Sequence, residues 1–274
     1  MDFTLEYVRD WNLVSIYENF YRNLWTKNNL RLAPKLKWWE SMRIPRSILL
    51  FENSGLVHKI WRCHNRSFLL ADPSAKDLYL KCTRIALRHE TVRGGVKLFG
   101  FCIMNNHSHM LLEYEESSKN LSQFMRLSHS RFGYTYNRIN NKTGKVANER
   151  PKTPLIENSE HSMRVHFYIE ANPIRAGFRK LDNLHLYKYS SYGFYAYGKK
   201  SEWTDLLNIP EWYINLGRTW KERQFAYRKL FREYLGLQTN PIEFFRDFIG
   251  ALCWKTLKKD QIKKLLEKRI HSPP

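Results

Sequence analysis

Residues 96–104 are the most constraining stretch of the chain. They read Val-Lys-Leu-Phe-Gly-Phe-Cys-Ile-Met, with Gly94-Gly95 before them and Asn105-Asn106 after. Such an apolar run between turn-forming residues predicts a strand. Residues 107–114 predict its partner. Asn105-Asn106 then becomes the tight turn between them, because asparagine tolerates positive φ.

The flanking patterns extend this hairpin into an ordered series. Residues 57–61 predict a strand, followed by a basic turn over 62–66 and an apolar return. Over residues 75–90 the spacing of Leu78, Cys82, Ile85 and Ala86 predicts a helix. Leu121, Phe124, Met125, Phe132 and Tyr136 recur at helical steps across 121–139. A basic, proline-containing loop follows at 150–154. A further helix is expected over 160–170, stopping near Pro173. The order strand, helix, strand, strand, helix, basic loop, helix predicts an α+β fold, an antiparallel sheet with helices on one face. Three regions are expected: an N-terminal extension over 1–54, a central domain over 55–199, and a basic helical C-terminal region over 200–274. In the first, Trp38 and Trp39 lie among Arg31, Lys35, Lys37, Arg43 and Arg46. That cluster reads either as a nucleic-acid surface or as a small helical extension packing its tryptophans inward.

Charge narrows the class of partner. Forty-six Lys and Arg against 26 Asp and Glu give a net charge of +20, which favours a polyanion. A membrane is not expected, since the apolar runs are far too short to span one. No secretory leader is expected at the N-terminus. Cys63, Cys82, Cys102 and Cys253 form no C-x-x-C pair, so a zinc ribbon or disulfide framework is not suggested. A reduced cytoplasmic setting, with nucleoid association, is the expectation. No protein partner is evident.

Two local patterns carry chemistry. In His107-Ser108-His109 the histidines lie two apart, so on a strand both face one way, about 6–7 Å apart. Neutral imidazoles so placed can converge on a divalent ion. Among ten histidines such a pair also arises by chance. In Tyr168-Ile169-Glu170-Ala171-Asn172-Pro173, a helix would put Tyr168 and Asn172 on one face at i and i+4. The Asn172 amide oxygen is a hard donor suited to Mg2+ or Mn2+. Tyr134 and Tyr136 are rival tyrosines one helix earlier.

Several blocks together resemble a known family. Residues 104–113 (Met-Asn-Asn-His-Ser-His-Met-Leu-Leu-Glu) are similar to the M-P-N-H-V-H-L-L-L block of the HUH single-tyrosine transposases. Residues 167–177 (Phe-Tyr-Ile-Glu-Ala-Asn-Pro-Ile-Arg-Ala-Gly) resemble its R-Y-I-E-L-N-P-V-R-A-G block. Residues 187–192 resemble its Y-P-W-S-S-Y, and residues 121–138 its intervening helix. Their order and separations over residues 56–198 match the REP-associated type. Residues 227–231 resemble the extension of longer members, and residues 1–54 have no counterpart. The resemblance implies a ferredoxin-like sheet with the HUH motif on a central strand. It implies metal binding by His107, His109 and Asn172, and Tyr168 as the nucleophile toward single-stranded DNA beside a hairpin.

DNA contacts are then expected from Lys59, Arg62, Arg66, Arg126, Arg131, Arg150 and Lys152. Two departures stand out. Ser108 replaces a bulky apolar residue, at an expected loss of about 1–2 kcal/mol of apolar contact, and Asn106 replaces a proline. Both leave open the alternative of a hairpin-binding protein that has lost cleavage. A barrel-type metal hydrolase would need a repeated strand–helix pattern, which the sequence lacks.

Overall fold

A computed structural model describes residues 54–147, 149–156 and 159–236. The tryptophan cluster of the N-terminal extension and the C-terminal region beyond 236 lie outside the described residues. The chain runs β1 (Gly55–Arg62), α1 (Pro73–Arg88), β2 (Val96–Ile103), β3 (His107–Tyr114), α2 (Ser118–Ile139), β4 (Leu155–Ile156) and α3 (Ser159–Arg175). Then come α4 (Leu181–Leu184), α5 (Tyr192–Tyr197), α6 (Glu211–Ile214) and α7 (Trp220–Gly236). The sheet has the order β2-β3-β1-β4, with every pairing antiparallel. This βαββαβ arrangement is ferredoxin-like, with the His107-Ser108-His109 strand in the interior of the sheet, as expected.

Helix ends are set locally. Asp72 accepts from Ser74 N at 2.8 Å with Pro73 in the first turn, and the Ser117 side chain accepts from Lys119 N at 3.1 Å. Each such cap contributes about 1 kcal/mol. Strand alternation then divides the core. Lys59, Trp61, Ser108 and Met110 point to one face, where Tyr79 of α1 and Phe132 of α2 pack against Trp61. His58, Ile60, His107 and His109 point to the other.

Four expectations need correction. Helices on one face describes α1 and α2 only, because α3 lies on the opposite face, its Tyr168 against His58 and His109. The turn at Asn105-Asn106 uses no positive φ. It closes through Met104 N–H donating to the His107 carbonyl at 2.8 Å. Nor does Pro173 end α3, which continues through it to Arg175. Pro173 has no N–H to give the Ile169 carbonyl, four residues back. The Asn172 side chain supplies the missing donor, its Nδ2 lying 3.0 Å from that oxygen, and the last turn survives. The apolar return after the basic turn is also no strand: His64–Arg66 is a short 3-10 turn, and Leu70 N–H donates to the Asn105 carbonyl at 2.9 Å.

The helical region after residue 200 shares the core rather than standing apart. Tyr227 and Phe231 of α7 pack on Phe167 of α3, and Tyr192 of α5 packs on Phe231. Full burial of such side chains contributes about 1.5–3 kcal/mol each. Within this layer Glu170 is wholly buried and accepts from Ser191 Oγ at 2.6 Å and Tyr227 OH at 2.5 Å, with His166 Nε2 at 3.0 Å. Gly100 on β2 makes room for that histidine; a Cβ there would fall 2.8 Å from its ring.

Candidate active site

The site forms where α3 packs over β3, with its Tyr168 reaching His58 of β1. His107 and His109 stand on the same strand face, ring centroids 4.9 Å apart and nearly perpendicular. Tyr168 meets His109 edge-on at 5.8 Å. Asn172 lies one helical turn further along the same face of α3. The structure brings together His107, His109 and Tyr168, with Asn172 one turn from the tyrosine. Tyr134 and Tyr136 sit on α2, across the sheet.

A histidine absent from the sequence expectations completes the cluster. His58 of β1 is buried, with Nε2 2.8 Å from His109 Nδ1 and its ring 5.6 Å from that of Tyr168. It lies diagonally across the β1–β3 ladder from His109, whose direct partner is Ile60. On β1 alone, alternation gives His58 the same side as Ile60. Only the register reveals which strand it faces.

Ring nitrogens are assigned by their neighbours. Asn106 Nδ2 donates to the Arg66 carbonyl at 3.3 Å, which fixes its Oδ1 as the atom 2.6 Å from His107 Nδ1. His107 therefore donates from Nδ1 and keeps its lone pair on Nε2. His109 Nδ1 is likewise engaged by His58, so Nε2 is its outward nitrogen. Burial pulls His58 down to about 3, and burial with the nearby Arg62 charge pulls His107 to about 4. Burial and the neighbouring His58 hold His109 well below its ordinary value. All three rings are neutral at pH 7, the state a metal requires.

Asn172 Nδ2 is committed to the carbonyls of Tyr168 and Ile169, each at 3.0 Å. Its oxygen remains as the ligand-type atom. Among the described residues no three His, Cys, Asp or Glu side chains form a metal-holding group, so an ion here depends on a mixed set of imidazole nitrogens and amide oxygen. That set suits a divalent ion that keeps some of its water.

Tyr168 is 5% exposed. Burial raises its phenol above the ordinary value, while the Arg175 and Arg62 charges oppose that rise. Arg175 stacks its guanidinium 3.9 Å from the Tyr168 ring centroid and donates to the Tyr168 carbonyl at 2.6 Å. Arg62 pairs directly with His107 across the ladder and is exposed on that face.

The other basic residues are distributed unevenly. Lys152 bridges Ile60, its N–H donating to the Ile60 carbonyl at 2.9 Å, and so shares the His58–His109 face. Arg150 is two residues away and half-buried. Arg66 is exposed beside the turn. Arg126 and Arg131 are exposed on α2, behind the sheet. Lys59 corrects the expectation of a DNA contact: it is 0% exposed, donating to Tyr79 OH at 2.5 Å and lying 3.5 Å from Met110 Sδ. Strand alternation turns it away from its neighbour His58 and into the core.

Ser108 is explained by the same network. Its Oγ lies 2.7 Å from Tyr79 OH, which also meets His129 Nε2 at 3.2 Å. The hydroxyl is a satisfied buried group, not a missing apolar contact.

Residues 53–151 match the family described as IS200-like transposases. The matched region contains His107 and His109 and ends before Tyr168. Among solved structures, one described as a REP-associated tyrosine transposase bound to a REP hairpin is similar over 54% of this chain and 82% of its own, at 15% identity and a TM-score of 0.44. No curated protein matches the sequence. Among the described residues, no helix is long and apolar enough to cross a membrane.

Proposed function

We propose that the chain, whose residues 53–151 match the family described as IS200-like transposases, cuts and rejoins single-stranded DNA at hairpins, with Tyr168 as nucleophile. The observation that carries this reading is the approach of Tyr168 to His109 on one sheet face, 5.8 Å between ring centroids. His107, His109 and Asn172 would hold Mg2+ or Mn2+. When bound, such an ion polarises a phosphate and supplies positive charge against the charge that builds on it.

The chain's own groups do the rest. Tyr168 Oη forms a bond to phosphorus as the bond to the 3′ oxygen breaks. The tyrosine loses its proton and the leaving oxygen gains one, giving a 5′-phosphotyrosine and a free 3′ hydroxyl. Because the phosphodiester's energy is conserved, another 3′ hydroxyl can reverse the step and join strands. Arg175 and Arg62 favour the phenolate in a buried setting that otherwise disfavours it. Arg62, Arg150 and Lys152 surround this face and would bind backbone phosphates in a salt-dependent way. A protein acting so would reside with the nucleoid.

The alternative of a hairpin binder without cleavage drew on Ser108. That side chain is hydrogen-bonded to Tyr79 on the far side of the sheet, so its polarity supplies no reason for lost chemistry. The test is incubation of labelled hairpin DNA with Mg2+ or Mn2+. A covalent protein–DNA adduct is expected from the wild type and not from Tyr168→Phe. Hairpin binding without an adduct in either protein would establish the non-catalytic reading.

A further inference from the structure

Helix α7 lies outside the matched domain, yet it reaches the candidate site. Near its end, Tyr234 OH lies 3.5 Å from Arg175 Nη1, beside Tyr168. Nine residues earlier, about 13 Å along the helix axis and on the side of the helix opposite the buried Tyr234, Phe225 stands 66% exposed. Lys221, Phe225, Arg228 and Arg232 follow one another at steps of four, three and four, so they share one face of the helix. α7 carries five Lys and Arg against two Glu. Of these, Glu222 is turned back onto the helix start, accepting from the backbone N–H groups of Arg218 at 2.7 Å and Thr219 at 3.2 Å.

The aromatic groups on this face are held open beside cations. Arg228 donates to the Ala196 carbonyl, which anchors its guanidinium between two rings. The centroid distances are 5.0 Å to Tyr197, itself 38% exposed, and 6.0 Å to Phe225. Trp220, at the start of α7, is 45% exposed with Arg223 over its ring at 5.8 Å. Single exposed aromatics are ordinary, but exposed rings grouped with cations along one helix, as Phe225, Tyr197 and Trp220 are here, are the kind of patch that marks an interaction surface. Bases stacking on aromatic rings, with phosphates tracked by arginine and lysine, are the arrangement used for sequence-tolerant binding of unpaired strands.

We propose that the face of α7 formed by Lys221, Phe225, Arg228 and Arg232, with Tyr197 beside it, is a stacking track for the unpaired strand that flanks the scissile phosphate. The surplus of cations selects a polyanion over a protein partner. The exposed rings select unpaired bases over duplex, whose π-faces are already stacked. This inference rests on the proposed DNA reaction for its direction toward Tyr168, but the track's affinity for unpaired strands is measurable without any cleavage.

The experiment uses full-length protein in EDTA with fluorescein-labelled dT5, dT10 and dT20, read by anisotropy. Wild type is expected to bind dT20 more tightly than dT5. Phe225→Leu and Arg228→Gln should each weaken dT20 binding roughly tenfold, while Phe225→Trp, which keeps a stacking ring, should retain it. Thermal melts confirm that the variants fold. Unchanged dT20 affinity in Phe225→Leu overturns the proposal, as does a wild type that ignores dT20. Self-association lost in Phe225→Leu, with DNA affinity intact, would reassign the face to a second copy of the chain and overturn it too. The two readings fail separately. A hairpin adduct with Phe225-insensitive dT20 binding sinks the track alone, and Phe225-sensitive binding without an adduct sinks the cleavage reading alone.

Discussion

His58 Nε2 lies 2.8 Å from His109 Nδ1, so one nitrogen of the inner histidine of the motif is committed within the protein. Second-sphere partners of this kind hold a ligating ring in position, and their loss typically costs 10–100-fold in metal affinity. His58→Phe keeps an aromatic ring of similar footprint against Tyr168 but offers His109 no nitrogen. Mn2+ affinity, followed by electron paramagnetic resonance, is expected to fall by roughly that factor, with the fold intact by circular dichroism. Equal Mn2+ affinity in the two proteins would show that His58 only fills space.

Ser108 Oγ and Tyr79 OH are 2.7 Å apart on the opposite face of the same strand. Restoring an apolar residue with Ser108→Val removes one partner from a buried hydroxyl, which costs about 1–3 kcal/mol when the group left behind goes unsatisfied. Tyr79 retains Lys59 and His129 as neighbours, which places the expected loss near the lower end. Urea denaturation measures it, and Mn2+ affinity should not move. A more stable Ser108→Val protein would mean that the network adds nothing to the fold.

Much of this architecture was legible from pattern alone. The apolar run at 96–104 and the helical spacing over 75–90 and 121–139 report burial by their own periodicity, and those elements formed. What escaped depends on pairing across the sheet. His58 and Lys59 are adjacent, and alternation says only that they face opposite ways. The β1–β3 register decides that His58 joins the histidines and Lys59 enters the core. Asn106 escaped for a related reason. Its value as a departure from the family's proline was visible, but its grip on His107 Nδ1 at 2.6 Å depends on the Arg66 carbonyl, forty residues away. The continuation of α3 through Pro173 was hidden because a side chain, Asn172, takes over a backbone donor's role.

Burial draws Lys59 down to about 7 from an ordinary value of 10.5. Below pH 7 both folded and unfolded chains hold the proton, and the buried charge costs the fold most. Between about 7 and 10.5 the folded lysine is neutral while the unfolded one is still charged. The unfolded state then binds more protons, and stability rises with pH across that window. Tyr79, Met110 and, through Tyr79, His129 are the groups around the ammonium, and none carries a compensating negative charge. Urea midpoints between pH 6.5 and 9.5 should therefore climb in the wild type, and the climb should be smaller in Lys59→Met. An identical slope in both proteins would place the titration elsewhere.

Arg175 links the tyrosine to the helix that carries it. Its guanidinium sits 3.9 Å from the Tyr168 ring centroid and hydrogen-bonds the Tyr168 carbonyl at 2.6 Å, so it both fixes the ring and opposes the rise in phenol pKa that burial imposes. A cation over an aromatic ring is worth about 0.5–2 kcal/mol, depending on how far it is desolvated. Arg175 as a whole is exposed, so the lower half of that range applies. Arg175→Lys retains charge but not the planar stack, and Arg175→Gln retains neither. Single-turnover adduct formation on hairpin DNA should slow by several-fold in Arg175→Lys and further in Arg175→Gln, with Mn2+ affinity unchanged in both. Equal slowing in the two variants would assign the effect to ring placement alone, and no slowing would remove Arg175 from the reaction altogether.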